Sequence, residues 1–134
     1  MPPEKNRAIN PQEWLRRARS NLAKARAGRT DPDVLFEDLC FDAQQAAEKA
    51  IKAVLVFKNA KLPRTHDVQD LLTLLQRNGI EIPPAIVQTD ELTEYAIETR
   101  YPGWAEDVAE DEYRRAVELA ERAVSWATGL INGV

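Results

Sequence analysis

The chain is poor in the residues that most directly announce chemistry. Its 134 residues hold one histidine, one cysteine and one methionine. One cysteine cannot form a disulfide within the chain, and one cysteine with one histidine cannot build a zinc site. A di-iron helical bundle needs paired Glu-x-x-His motifs, which a single histidine does not supply. Five glycines stand singly, so there is no glycine-rich phosphate loop. No run of about eighteen apolar residues occurs, which argues against a membrane span. The first residues, Met1-Pro2-Pro3-Glu4-Lys5-Asn6-Arg7, lack the apolar centre of a signal peptide, so a cytoplasmic location is expected. Ser20 and Ser125 fall in helical patterns without a nucleophile elbow, which leaves a serine triad unsupported.

What is present is helical periodicity. Hydrophobic residues make up 44% of the chain, enough for one ordinary core, and the length suits one domain. Residues 1–9 read as a flexible N-terminal segment and 10–134 as a single helical domain. Asn10-Pro11-Gln12-Glu13 opens the first helix, with asparagine as N-cap, proline at the first position and Glu13 placed for a capping box. Trp14, Leu15, Ala18, Leu22 and Ala25 share one face, and Gly28 closes the helix. A second helix is expected from Asp31-Pro32 to about Asn59. Its apolar arc is very broad and alanine-rich, which makes it the central helix. Cys40 falls on that arc and reads as a small buried hydrophobe. Along one edge of the same helix Asp42, Gln45, Lys49 and Lys52 recur at helical spacing.

A third helix is expected to start near Thr65-His66-Asp67, carrying Val68, Leu71, Leu72 and Leu75 inward to Asn78-Gly79. Pro83-Pro84 opens a fourth, with Ile86, Leu92, Tyr95 and Ala96 in the core. Arg100-Tyr101-Pro102-Gly103-Trp104 reads as a loop, because the residue before proline disfavours helix. The fifth helix runs from about Glu110 to Ile131. Short connections between long amphipathic helices imply an all-α, up-and-down antiparallel bundle of four to five helices.

Charge is unevenly spread. Residues 1–30 carry eight Lys/Arg against two Asp/Glu, and residues 31–134 carry ten against twenty. The basic first segment suits either phosphate, an acidic partner or the acidic helices of its own fold. The acidic run Glu106, Asp107, Glu110, Asp111 and Glu112 suits the positive end of the fifth helix better than a metal. No metal site and no cofactor are implied. Pro63-Arg64-Thr65-His66-Asp67 has two readings. Thr65 or His66 sits at a helix cap with Asp67 on the dipole, or Arg64 binds phosphate while His66 transfers a proton, as histidines do near neutral pH. Lys49 and Lys52 are either solvated or meet phosphate as point charges. Arg100 and Tyr101 either clamp a phosphate and stack on a base or pin their loop against Trp104.

Three blocks carry a resemblance: Phe41-Asp42-Ala43-Gln44-Gln45-Ala46-Ala47-Glu48-Lys49-Ala50-Ile51-Lys52, then Pro63-Arg64-Thr65-His66-Asp67-Val68-Gln69-Asp70-Leu71-Leu72, then Thr99-Arg100-Tyr101-Pro102. In this order they resemble the HEPN domain (higher eukaryotes and prokaryotes nucleotide-binding), and the resemblance extends over about residues 10–131. It implies a compact helical bundle, a homodimer, and a two-component module with a nucleotidyltransferase partner of the toxin–antitoxin kind, with nucleotide or RNA as ligand. Candidate binding residues are then Gln45, Lys49, Lys52, Asp67, Arg100 and Tyr101. Other HEPN proteins are metal-independent RNases with an arginine, four to six residues and a histidine. Here the corresponding positions before His66 are Lys61, Ala60 and Asn59, so the arginine is missing. A catalytic reading rests on His66 with Arg64 or Lys61, and a third reading is a purely structural dimeric module that masks a partner.

Overall fold

The computed structural model describes residues 10–96 and 107–133. The N-terminal segment 1–9 and the loop residues Arg100 and Tyr101 lie outside them. Five α-helices follow in order: α1 Pro11–Arg26, α2 Phe36–Phe57, α3 Val68–Arg77, α4 Pro84–Val87 and α5 Glu110–Asn132, with a 3₁₀ helix, Gln88–Tyr95, directly after α4. No strand occurs among the described residues. The all-α bundle expected from the periodicity is the fold.

The helix starts show how far local chemistry decides. Asn10 caps α1 by accepting from the Glu13 amide at 2.8 Å, and Pro11 occupies the first turn, where its missing N–H costs nothing. The capping box does not close: the Glu13 carboxylate turns instead to Arg16 and Arg17. α2 starts at Phe36, four residues later than a cap at Asp31 with Pro32 at the first position suggests. Asp31 makes a turn there, accepting from the Asp33 amide at 2.8 Å through its side chain and from Val34 through its carbonyl. An aspartate side chain serves such a turn as readily as a helix cap. For α3 the cap is Asp67, which accepts from Gln69 at 2.9 Å, while the Thr65 hydroxyl receives the Asp67 amide. The fourth helix is one α-turn that tightens into 3₁₀ geometry, stitched by Thr89 Oγ1 donating to the Ile86 carbonyl.

Packing gives the directions. α1 and α2 are antiparallel, since Lys24 meets Asp42 at one end and Trp14 meets Lys52 at the other. α5 is antiparallel to α1: Arg26 pairs with Glu121 and Gln12 bonds Asn132. The two neighbours of α2 approach closely because Ala43, Ala46, Ala47, Ala50 and Ala53 are all fully buried. Larger side chains fill the remaining space, notably Leu15, Ile51, Leu55, Leu71, Leu75, Leu92 and Leu119. Each contributes about 1.5–3 kcal/mol by leaving water. Cys40 is buried within this core, as its place on the arc predicts. After α1 the chain reverses at Gly28, where φ is +72° and the Tyr113 hydroxyl would lie 3.7 Å from any added Cβ. That hydroxyl donates to the Ala25 carbonyl and ties α5 to the end of α1.

Candidate functional site

The site grows from one buried carboxylate. Gln44, Glu48 and Lys52 are spaced four residues apart on α2, so their side chains stack on one face. Glu48 is almost wholly buried, its side chain 3% exposed. An isolated carboxylate there would carry a large desolvation cost, so it must be paired. Lys52 Nζ donates to Oε2 at 2.7 Å, and Gln44 Nε2 donates to Oε1 at 2.9 Å. The third partner is His66, whose Nδ1 stands 3.1 Å from Oε1 and 3.3 Å from Oε2. Burial pushes the Glu48 carboxyl up, but the bonds from Lys52, Gln44 and His66 outweigh it and hold the group below its ordinary value.

This anchoring decides the orientation of the imidazole. An ionised carboxylate can only accept, so Nδ1 carries a proton. In the neutral ring Nε2 then holds the lone pair. The His66 side chain is 71% exposed, so the ring is held at its inner nitrogen while most of its surface meets solvent. Gln44 also donates to the His66 carbonyl at 3.3 Å, fixing the backbone as well as the ring. A carboxylate behind a histidine is the arrangement that orients a proton-transfer group. Arg64 lies two residues earlier on the same connecting segment, exposed and with no hydrogen bond or ion pair among the described residues. It can turn toward an anion beside the ring.

A second polar row continues from this centre along the junction of α1 and α2. Lys52 Nζ lies 5.6 Å from the centroid of Trp14, a cation–π contact. One turn further, Lys49 donates to Asn21 Oδ1 at 2.7 Å. Asn21 Nδ2 then donates to Asp42 Oδ1 at 3.0 Å, and Lys24 pairs with the same oxygen at 3.1 Å. The stripe Asp42, Gln45, Lys49 and Lys52 thus lies on one edge, as its spacing predicts. It is not a solvated face, however: Asp42, Lys49 and Lys52 meet α1, and Asp42 is buried.

Each remaining candidate has a definite place. Gln45 donates to Gln44 Oε1 at 2.8 Å and supports the carboxylate from behind. Asp67 is committed to capping α3, with Thr93 Oγ1 at 3.5 Å from the same oxygen. Lys61 is exposed on the segment that carries Arg64 and His66. Arg100 and Tyr101 fall outside the described residues. The acidic residues Glu110, Asp111 and Glu112 occupy the first turn of α5, as the dipole argument requires. Sequence reasoning passed over Glu48, Gln44, Asn21 and Trp14. The available signal for Glu48 was a lone acid inside the alanine-rich arc, with a potential partner four residues away on each side.

The HEPN domain model matches residues 11–130, and the chain belongs to that family. It is also similar to a protein of known crystal structure described as an archaeal HEPN homologue. The two chains are 27% identical and superpose with a TM-score of 0.72, covering 92% of this chain and 99% of the other. Comparison with curated proteins gave no match. No helix among the described residues is long and apolar enough to cross a membrane.

Proposed function

We propose that this HEPN-domain protein is the nucleotide-binding component of a two-component module. Its partner in this reading is a nucleotidyltransferase, and its own working form is a homodimer. The observation that carries the reading is the His66 ring, presented to solvent but fixed through Nδ1 to the buried Glu48 carboxylate. A surface histidine without a task has no need of an internal carboxylate to aim it. Arg64 supplies a fork suited to phosphate, and Lys52 a compact positive charge at the edge of the same centre. Family membership supports the pairing with a nucleotidyltransferase.

Calorimetric titration with mononucleotides tests this. The wild type binds, and His66→Ala and Arg64→Ala each weaken binding about tenfold, the loss of one charge-assisted contact. Absence of binding in the wild type would instead favour a purely structural dimer that masks its partner. Sedimentation alone and with the partner reads the oligomeric part.

A second reading is metal-independent RNA cleavage, favoured by the outward Nε2. That nitrogen would take the 2′-hydroxyl proton as the 2′-oxygen attacks phosphorus, the P–O5′ bond breaks and the leaving 5′-oxygen takes a proton from water, while Arg64 stabilises the negative charge growing on the phosphoryl oxygens. Lys61 stands where the RNase motif has arginine, with the charge but not the fork. Cleavage that survives chelator and disappears in His66→Ala supports this reading; an intact substrate refutes it.

A further inference from the structure

We propose that the junction of α1 and α2 extends the His66 site into a track for a single-stranded polynucleotide, in which Lys49 takes a phosphate and Trp14 stacks on a base. The inference rests on the nucleotide-binding reading and goes beyond it by naming a second subsite and a longer ligand.

The first support is the state of Lys49. Its ammonium has three protons, and among the described residues it makes one hydrogen bond, to the neutral Asn21 amide oxygen. No carboxylate lies within ion-pair distance of it among those residues. Asn21 is itself only 9% exposed and cross-linked to Asp42, so the oxygen that positions Lys49 is rigid. Burial lowers the affinity of Lys49 for its proton. Glu48 and Asp42 oppose that effect, and Arg17 and Lys24 reinforce it. Three cations therefore share one neighbourhood, and the half-buried one lacks a direct counter-ion. A phosphate oxygen satisfies the two remaining protons of Lys49 and relieves the repulsion from Arg17 and Lys24.

The second support is the alternation of cation and aromatic. Trp14, Arg17, Asn21 and Lys24 recur at helical spacing on α1 and face Lys52, Lys49 and Asp42 on α2. Trp14 is half-buried and touches Lys52, which in turn touches Glu48 beside His66. Lys49 and Lys52, three residues apart, differ by about 4.5 Å along the helix axis. A bare polyphosphate has no use for the indole. A polynucleotide uses both, since single-strand binders track the backbone with cations and stack bases on aromatic rings.

The test is fluorescence anisotropy with labelled single-stranded oligoadenylate, as RNA and as DNA, of about ten nucleotides, within the range of single-strand sites. Mononucleotide titrations run in parallel. Lys49→Ala is expected to weaken oligonucleotide binding about tenfold and to flatten its salt dependence by about 0.7, one phosphate contact on a single strand. Lys49→Arg restores the slope. In Lys49→Ala mononucleotide affinity falls by less than oligonucleotide affinity, because His66 and Arg64 remain in place. In a Trp104→Phe/Trp126→Phe background, the oligonucleotide quenches the emission of Trp14. A wild-type salt slope in Lys49→Ala, or Trp14 emission blind to the oligonucleotide, overturns the track. Mononucleotide binding without oligonucleotide binding also overturns it and leaves the His66 reading standing. Binding of neither ligand removes the nucleotide-binding reading itself.

Discussion

Replacing Glu48 by alanine is the most demanding probe of the structure. The carboxylate receives Lys52 at 2.7 Å and Gln44 at 2.9 Å, and it faces His66 Nδ1 at 3.1 Å. The exposed His66 ring loses little when the anchor goes, since water replaces the bond. Lys52 differs: its side chain is 13% exposed, and removing Glu48 leaves its charge with the Trp14 ring as its remaining partner among the described residues. Deleting one partner of a buried pair costs about 3–5 kcal/mol. For Glu48→Ala the expected loss lies in that range, read as a lower urea midpoint at neutral pH. Glu48→Gln keeps the shape and two bonds, and its cost falls to about 1.5–3 kcal/mol, the worth of hydrogen bonds to a charged group. The pH dependence adds a sign. The folded carboxyl titrates below its ordinary value of 4.5, so its stabilisation is present above 4.5 and is lost as pH falls through the folded value. The gap between wild type and Glu48→Gln should therefore narrow on acidification. A loss under about 1 kcal/mol in Glu48→Ala, set against the range above, or a gap that ignores pH, would refute the claim that this carboxylate is a buried, ionised anchor.

Three further outcomes follow from the rest of the molecule. Ile51→Ala, at a fully buried position on α2, is expected to cost about 2–5 kcal/mol in chemical denaturation. The Tyr95 hydroxyl donates to Glu112, and burial, with that bond and nearby negative charges, raises its phenol above the ordinary 10.0. The stability it contributes is full below 10.0 and fades only as pH rises toward the folded value, so ultraviolet titration of the native protein should show Tyr95 silent where an exposed tyrosine ionises. Asn59 adopts φ +61° after the end of α2. Asn59→Val should lower the thermal midpoint by an amount equivalent to about 1–2 kcal/mol, while Asn59→Gly should be close to neutral.

The bundle was legible because apolar periodicity and helix punctuation agree along most of the chain. Asn10-Pro11, Asn78-Gly79 and the long stripe of α5 each marked a boundary within a residue or two. The errors came where one residue type serves two purposes. Asp31-Pro32 looks like a helix start but builds a turn, and Pro83-Pro84 opens a helix that soon tightens to 3₁₀ geometry. The site was legible in part. His66, Arg64, Lys49 and Lys52 stood out as polar or charged residues near helix starts or on one edge. Glu48 did not, because a glutamate on a helix is normally solvated, whereas this one lies within the apolar arc and is buried. Asn21 and Trp14 lie far from α2 in sequence, so their role depends on the antiparallel register of α1.

The five alanines of α2 act as a gauge. They set the distance at which α1 rides over the central helix, and α1 carries Trp14, Arg17, Asn21 and Lys24. A methyl group added at Ala46 or Ala50 enters the fully buried core, not the charged surface. It must be accommodated in a close-packed interior, and the helices have little room to yield without moving. The width of the polar junction is thus written in the smallest side chains of the core. Changes deep in the hydrophobic interior can retune what the surface holds.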